Sequence, residues 1–115
     1  MKNSCKKKRN NSYDGIFLLE THIAGTSYVE NIDVLVSMLS ERGYLNFVRD
    51  KENDFDDNAI MITSELGYKV GFIPRKDNKL IANLMDANKA LYGKISTIEN
   101  KNNWWCIEIG IYLCD

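Results

Sequence analysis

The feature of this sequence that most restricts its fold is an alternation of residue types near the C-terminus. Between positions 104 and 114, one set of alternate residues is uniformly apolar: Trp105, Ile107, Ile109, Ile111 and Leu113. The other set is mixed in character: Trp104, Cys106, Glu108, Tyr112 and Cys114. Because successive side chains of a β-strand point to opposite faces, this pattern predicts a strand with one face on a core and the other facing solvent or a site.

Five more segments have the composition and the boundaries of β-strands. They comprise residues 16–24, 44–49, 58–63, 68–73 and 91–99. The first of them is rich in apolar residues, which predicts a mostly buried strand. Glu65, Leu66 and Gly67 form a turn between two of these segments and predict a hairpin. Pro74 ends the second strand of that hairpin, since proline cannot donate a hydrogen bond to a sheet.

Two segments have the residue spacing of amphipathic helices. In the first, Asn31 is suited to the N-cap and Gly43 to a left-handed C-cap. Its apolar residues recur at helical spacing: Ile32, Leu35, Val36 and Leu39. In the second, Asp77 is the expected N-cap. Its apolar residues also share one face: Leu80, Ile81, Leu84 and Met85.

The predicted order of elements is therefore β-α-β-β-β-α-β-β, which is a mostly β, α+β fold. Six short strands and two helices within 115 residues favour a strongly bent antiparallel sheet or a small barrel. The helices would cover its open ends.

The charge of the chain is unevenly distributed, although its net charge is only −1. Residues 1–15 carry five basic side chains and one acidic one, whereas the remainder carries ten basic and fifteen acidic groups. Residues 1–14 predict a flexible basic tail, either a solvated terminus or a loose tether for phosphate or RNA. Residues 15–115 predict a single domain, whose acidic balance excludes a protein that coats nucleic acid through a broad basic face.

The cysteines and the hydropathy pattern predict a cytoplasmic protein. Cys5, Cys106 and Cys114 include no C-x-x-C pair, and the last two lie eight residues apart on one predicted strand. That separation is about 26 Å, whereas a disulfide needs Cα atoms within about 7 Å. No apolar run approaches the ~20 residues of a membrane span, and no apolar leader follows the basic N-terminus. We therefore expect free thiols, a reducing compartment and no membrane partner.

No group of residues points to catalysis, to a metal or to a cofactor. His22 is the single histidine and lies in an apolar strand, where packing is the simpler role. Asp50, Glu52 and Asp54 imitate the first positions of a calcium loop, but Phe55 stands where such a loop needs glycine. The chain also lacks a glycine-rich phosphate motif. We therefore expect no enzyme activity, no metal and no cofactor.

Two aromatic residues stand in polar surroundings. Tyr28 follows Gly25, Thr26 and Ser27 in a predicted turn, and Phe55 lies in the acidic loop 50–57. A single aromatic ring in a polar loop either stacks on an unpaired base or folds back over the core. The residues alone leave both roles open.

Four motifs together resemble the HIRAN domain family. They are His22-Ile-Ala-Gly-Thr-Ser-Tyr28, Val48-Arg-Asp-x-x-Asn-x-Phe-Asp-x-Asn-Ala-Ile60, Lys69-Val-Gly-Phe-Ile-Pro-Arg-Lys-Asp-Asn78 and Leu84-Met-Asp-Ala-Asn-Lys-Ala-Leu91. Their order and spacing match over residues 16–113. The resemblance implies a standalone, bacterial-type member with a β-barrel similar to an OB-fold and flanking helices. It also implies capture of the 3′-hydroxyl end of single-stranded DNA.

The resemblance implies a binding role for five residues of this chain. Tyr28 matches a tyrosine that stacks on a terminal base, and Phe55 matches a second stacking position. Asp56 matches a carboxylate that accepts a hydrogen bond from the terminal 3′-hydroxyl. Asn53 matches a polar residue of the same loop, and Arg75 matches a basic residue near the backbone phosphates. We expect these segments to converge on one concave site. An ionised aspartate accepts from a hydroxyl but repels a terminal phosphate, so it would distinguish the two ends.

Three positions depart from the family pattern, so the chain has two candidate functions: the one that the resemblance implies, and an alternative in which DNA binding is lost. Ser27 stands where the DNA-binding fork-remodelling members have arginine, Asp54 replaces the usual proline, and Phe55 lacks the hydroxyl of the usual tyrosine. The first function is a non-enzymatic module that captures the 3′-hydroxyl end of single-stranded DNA. It would serve DNA repair or replication with a partner protein such as a helicase or nuclease. The alternative is a protein-interaction adaptor that keeps the fold without a working DNA pocket.

Overall fold

The computed structural model describes residues 15–114, and the predicted flexible basic tail lies outside them. Its strands and helices are β1 (Gly15–His22), α1 (Ile32–Ser37), β2 (Tyr44–Arg49), β3 (Ile60–Ser64), β4 (Lys69–Phe72), α2 (Arg75–Asp86), β5 (Leu91–Lys101) and β6 (Trp104–Cys114). A 3-10 turn, Thr26–Tyr28, lies between β1 and α1. The predicted order and the mostly β, α+β class are confirmed.

The strands form one antiparallel sheet in the order β1-β6-β5-β2-β3-β4. Ala24, just after β1, pairs with Phe72 at the end of β4, so the chain at one edge of the sheet bonds to the strand at the other. The Ala24 N–H donates to the Phe72 carbonyl at 2.8 Å, and the Phe72 N–H donates to the Ala24 carbonyl at 2.9 Å. This seam (the Ala24–Phe72 pair) makes the sheet a small, partly open barrel similar to an OB-fold.

Gly71 permits the close approach of backbones at the seam. A Cβ atom at this position would lie 2.5 Å from the Ala24 carbonyl oxygen and 2.5 Å from Cγ2 of Ile23. Backbone and a fully buried side chain cannot move aside at low cost, so only glycine fits here.

The core lies on the face of β6 that the sequence predicts. Ile107, Ile109 and Ile111 are completely buried, and Trp105 and Leu113 are partly buried against the same cluster. Neighbouring strands contribute Leu45, Ile60, Ile62, Val70 and Ile95. Both helices pack onto this cluster, α1 through Leu35 and Val36 and α2 through Ile81, Ala82 and Met85.

The expectation that the first strand is mostly buried is wrong. Among residues 15–114, β1 pairs only with β6, and its Ile16 and Phe17 side chains are more than half exposed. Apolar composition alone does not distinguish a central strand from an edge strand, which leaves one flank open to solvent.

The predicted helix caps are also wrong in two places. α1 ends at Ser37, and Arg42 rather than Gly43 takes the left-handed conformation that follows, with φ 68°. α2 begins at Arg75 with Pro74 as its N-cap, so Asp77 lies inside the first turn. There the Asp77 carboxylate accepts a hydrogen bond from Thr21 Oγ1 at 2.6 Å, a tertiary contact that replaces the expected local one.

The buried face of α2 is rotated relative to the prediction. Leu80 is more than half exposed, whereas Asn78 is 3% exposed and shares the buried stripe with Ile81, Ala82 and Met85. A polar residue in that stripe needs a hydrogen-bonding partner, because an unpaired buried amide is costly.

The thiol expectation holds for one of the two described cysteines. Cys106 is a free, partly buried thiol, as predicted, whereas Cys114 is disulfide-bonded, contrary to prediction. Among residues 15–114, neither helix has the length and apolar character needed to span a membrane. The cytoplasmic location stays a prediction.

Candidate nucleic-acid interface

A cleft of about 280 Å³ lies beside the seam, and both seam residues line it. The remaining lining comes from Gly25, from the loop before β3, and from the segment that leads from β4 into the start of α2. Four of the five predicted site residues lie here: Asn53, Phe55, Asp56 and Arg75. We call this surface the Asp56 cleft.

Asn53 shapes the loop that carries the other site residues. Its Oδ1 accepts hydrogen bonds from the backbone N–H groups of Phe55 at 2.9 Å and Asp56 at 3.0 Å. Its Nδ2 donates to Asp50 Oδ2 at 3.2 Å. This is the local side chain to backbone pattern that asparagine favours in turns. Asn53 therefore contributes to the cleft by setting the backbone of Phe55 and Asp56.

Asp56 presents a carboxylate that is held from two directions and is still accessible. Oδ1 accepts from the Asn58 N–H at 2.9 Å, and Oδ2 accepts from Asn78 Nδ2 at 2.8 Å. The side chain is 18% exposed. A carboxylate has about four acceptor sites, so these two bonds leave capacity for a further donor from the cleft.

Asn78 is a site residue to which sequence analysis assigned no role. It lies at the end of the third motif, and its buried amide is the partner that fixes the Asp56 carboxylate. The available signal was its position one helical turn before Ile81 and Ala82, which places a polar side chain in the apolar stripe of α2.

Arg75 bridges the acidic loop and the first turn of α2. Its Nη2 donates to the Phe55 carbonyl at 2.8 Å, and its Nε lies 3.5 Å from Asp56 Oδ2. The side chain is nevertheless 72% exposed, so a guanidinium face is open at the rim. The Phe55 side chain is even more open, at 86% exposure. A cation and an unpacked ring thus stand at the rim above a fixed carboxylate.

Arg49 holds the far end of the same loop and was also missed. Its Nη1 donates to the Ala59 carbonyl at 2.8 Å and its Nη2 to the Asp57 carbonyl at 3.1 Å. Nε and Nη2 also form a bidentate pair with Asp86 at 3.0 and 3.1 Å. The hydrogen bond from Arg49 lowers the pKa of Asp86, with a further contribution from Lys51. Arg49 is thus a positioning residue for the loop.

Tyr28 lies apart from the other four predicted residues. It ends the 3-10 turn, is 90% exposed, and lines a separate groove of about 530 Å³ beside α1. Gly25, which precedes the turn in a left-handed conformation with φ 77°, lines the Asp56 cleft. The two surfaces therefore meet at this turn, with Tyr28 on the groove side.

A hydrogen bond from Thr21 of β1 to Asp77 also positions the start of α2. Burial of the Asp77 carboxyl raises its pKa, whereas the hydrogen bond from Thr21 and the adjacent Lys76 lower it. The lowering effects are larger together, so the pKa of Asp77 lies below its ordinary value. Thr21 is itself buried, so this bond ties β1 to the turn that carries Arg75.

A search against protein families matches the HIRAN domain over residues 16–113. This chain belongs to the HIRAN domain family. HIRAN domains are known as nucleic-acid-binding modules that are not catalytic by themselves. No curated protein matches the chain.

Two solved structures share the HIRAN fold. A protein from Lactobacillus plantarum is 26% identical, with a TM-score of 0.81, and the match covers 87% of this chain and 95% of that one. The HIRAN domain of human HLTF is 20% identical, with a TM-score of 0.69, and the match covers 86% of this chain and 78% of that one. The barrel expected from the resemblance is therefore confirmed.

The three positions that depart from the HIRAN pattern, Ser27, Asp54 and Phe55, are all exposed residues. Ser27 is exposed on the 3-10 turn, and Asp54 is exposed beside Phe55. Asp54 adds a negative charge beside the exposed Phe55 ring. Neither departure disturbs the bonds that hold Asp56.

Proposed function

We propose that the Asp56 cleft binds the 3′-hydroxyl end of single-stranded DNA. The observation that carries this proposal is the Asp56 carboxylate, oriented by Asn78 and the Asn58 N–H and open to the cleft with acceptor capacity left over. A site for a hydroxyl donor needs such an acceptor, fixed before the ligand arrives.

The same carboxylate supplies the selectivity for the end of the strand. A 3′-hydroxyl donates to an ionised carboxylate, whereas a 3′-phosphate brings like charge to it. The repulsion is stronger than in bulk water because the side chain is only 18% exposed. The Arg75 ion pair offsets part of the charge without removing the acceptor.

Phe55 and Arg75 supply affinity rather than selectivity. A base that stacks on the exposed Phe55 ring contributes about 1–3 kcal/mol, whatever its identity. The open guanidinium face of Arg75 binds a backbone phosphate. The module then holds one end of a strand and passes it to a partner such as a helicase or nuclease, in repair or replication, since HIRAN domains are not catalytic by themselves.

Fluorescence anisotropy with labelled oligonucleotides that end in 3′-hydroxyl or 3′-phosphate tests this function. The wild-type chain should prefer the hydroxyl end, and Asp56→Asn should remove most of that preference. Asp54→Asn is the matched control, because it removes the same charge from the exposed neighbour. It should strengthen binding of both ends slightly and leave their ratio unchanged. Equal and negligible binding of both ends by the wild type would contradict the proposal and favour the adaptor function.

A further inference from the structure

The disulfide at Cys114 is a feature that the proposed binding function does not use. Cys114 is disulfide-bonded, whereas Cys106 is a free thiol. The chain has three cysteines, so Cys5 is the remaining partner that the chain itself can supply. Cys5 belongs to residues 1–14, which precede the described part of the chain. The place where this segment joins the fold therefore decides whether the two sulfurs can meet.

The N-terminal segment joins the fold directly beside Cys114. Gly15, the first residue of β1, lies opposite Cys114 in the antiparallel pair of β1 and β6. The Cα atoms of such a pair are about 5 Å apart. A Cβ atom on Gly15 would lie 2.6 Å from the Tyr92 hydroxyl oxygen, so the chain enters β1 against this ring. Only residues 6–14 separate Cys5 from Gly15, and a disulfide needs Cα atoms about 5.5–6 Å apart, so a short loop closes the bridge.

The loop that this bridge closes contains most of the positive charge of the N-terminal segment. Its first four residues are Lys6, Lys7, Lys8 and Arg9, which we call the basic cluster. The Asp56 cleft lies at the opposite end of β1, because Ala24 lines it. At about 3.3 Å per residue, the path along the strand from its first residue to Ala24 is about 30 Å.

The bridge sets how far the basic cluster can reach. With the bridge closed, Lys6 is the neighbour of Cys5 and stays within about 10 Å of Cys114. With the bridge open, Lys6 is tied to the fold only through Gly15 and can extend about 30 Å from it. The open chain is therefore long enough to bring Lys6 to the cleft, and the closed one is not.

We infer that Cys5 and Cys114 form a reversible disulfide that controls whether the basic cluster reaches a strand held in the Asp56 cleft. The effect on binding rests on the proposed function, whereas the cross-link does not. A dithiol reductant opens the bridge. Its thiolate attacks one sulfur and the other leaves as a thiolate that takes up a proton. Its second thiol then releases the first cysteine, so two electrons pass to the cysteines and the reductant becomes a disulfide. Cations that contact phosphates add affinity without reading the end of the strand.

Peptide mapping by mass spectrometry tests the cross-link in the full chain purified without reductant. The digest should contain a peptide pair that joins Cys5 to Cys114, and Cys106 should be alkylated without prior reduction. Alkylation of Cys114 without reduction would overturn the inference. So would a bridge between the Cys114 residues of two copies, which a non-reducing gel shows as a dimer.

Fluorescence anisotropy with a six-nucleotide 3′-hydroxyl strand, with and without dithiothreitol, tests the effect on binding. Reduction should tighten binding roughly 5-fold or more at about 50 mM salt, and should steepen the salt dependence by about 0.7 in log Kd per log salt for each added phosphate contact. The preference for a 3′-hydroxyl over a 3′-phosphate should not change. Cys114→Ser should bind like the reduced wild type in both conditions. Cys106→Ser is the matched control and should respond to dithiothreitol as the wild type does.

Replacing Lys6, Lys7, Lys8 and Arg9 together by glutamine should remove the response and keep the cross-link, and thermal unfolding confirms that each variant is folded. A response that survives this replacement would overturn the role of the basic cluster. No response in a wild-type chain whose cross-link has been mapped would overturn the control of binding. Equal and negligible binding of both 3′ ends in both redox states would instead overturn the proposed function and leave the mapped cross-link standing.

Discussion

The Asp56 cleft and the Tyr28-lined groove beside α1 are neighbours but are built in opposite ways. In the cleft, Arg49, Asn53, Arg75 and Asn78 hold the loop that carries Asp56 through side-chain hydrogen bonds. In the groove, the exposed surface consists of rings and apolar chains on a short turn and a two-turn helix. A fixed charge requires many polar partners, whereas a stacking surface requires only exposed area. Substitutions should therefore affect stability in the first region and affinity in the second.

The largest expected effect on stability comes from Arg49. Arg49→Met removes two donors to loop carbonyls and leaves Asp86 without its bidentate partner. Since the Arg49 side chain is only 13% exposed, the free energy of unfolding should fall by about 2–3 kcal/mol. Urea denaturation measures this.

Lys51→Met is the matched control, because Lys51 also lies near Asp86, at 3.7 Å, but is largely exposed. Its effect should stay below about 0.5 kcal/mol. Equal effects of the two substitutions would show that the loop is not held from this side.

Asn78→Leu should have the next largest effect. It removes the donor to Asp56 Oδ2 while keeping a side chain of similar size in the buried stripe of α2. We expect a loss of about 1–2 kcal/mol in unfolding free energy. The preference for a 3′-hydroxyl end should fall with it, because the carboxylate is no longer oriented.

The ratio of affinities for 3′-hydroxyl and 3′-phosphate strands separates this role from simple packing. Asn83→Leu, on the exposed side of α2, should change neither quantity. If Asn78→Leu lost stability but kept the ratio, Asn78 would be structural only.

Thr21→Val tests the bond between β1 and α2, with an expected loss of about 1 kcal/mol at pH 7. The pKa of Asp77 in the folded protein lies below the ordinary 3.8, so the stabilisation is complete above that value and is lost as the pH falls through the folded pKa. The difference between wild type and variant should therefore shrink in urea denaturation series below about pH 4.

Thr97→Val provides the comparison for the Thr21 experiment. Thr97 Oγ1 donates to Glu108 at a more exposed site, at 3.1 Å, so its loss should cost less at pH 7. A Thr21→Val difference that stayed constant down to pH 2 would contradict the linkage to Asp77.

Phe55→Ala and Tyr28→Ala should have the smallest effects on stability, below about 0.5 kcal/mol each, since both side chains are almost fully exposed. Binding of a six-nucleotide strand should nevertheless weaken by about 1–3 kcal/mol in each variant. Anisotropy and thermal unfolding together check both statements, and a large fall in melting temperature would show that a ring packs on the fold.

The parts of the fold that sequence could predict are those fixed by neighbours in the chain. The alternation in β6 predicts the buried positions Ile107, Ile109 and Ile111, because each side chain's direction follows from its position along one strand. The contacts that build the cleft join distant residues. Asn78 and Asp56 are 22 positions apart, and Arg49 and Asp86 are 37 apart. No local pattern pairs these residues, so the resemblance assigned a role to Asp56 but none to Asn78 or Arg49.

Asn31 is the N-cap of α1, as predicted, but the other two predicted caps are wrong for a related reason. Asp77 has the residue type of an N-cap, but a partner from β1 is within reach and satisfies its carboxylate. Gly43 has the residue type of a C-cap, but a Cβ atom there would lie 2.8 Å from the Ser40 carbonyl oxygen, so its small size is used for packing rather than for a left-handed φ. Residue type shows which structural roles a residue can take, such as a helix cap, and its tertiary contacts determine which of them it takes.

The seam closes the barrel through one backbone-paired bridge, Ala24–Phe72. One pair of residues joins the two edges of the described sheet, and both of them line the Asp56 cleft. Opening of this pair is a local fluctuation that costs less than global unfolding and that distorts the cleft wall. If a strand end binds in the cleft as proposed, and only while the seam is closed, a concentration 100 times its Kd would favour the closed form by about 2.7 kcal/mol. Occupancy of the cleft would then slow amide hydrogen exchange at Ala24 and Phe72, while exchange of the core amides would stay unchanged.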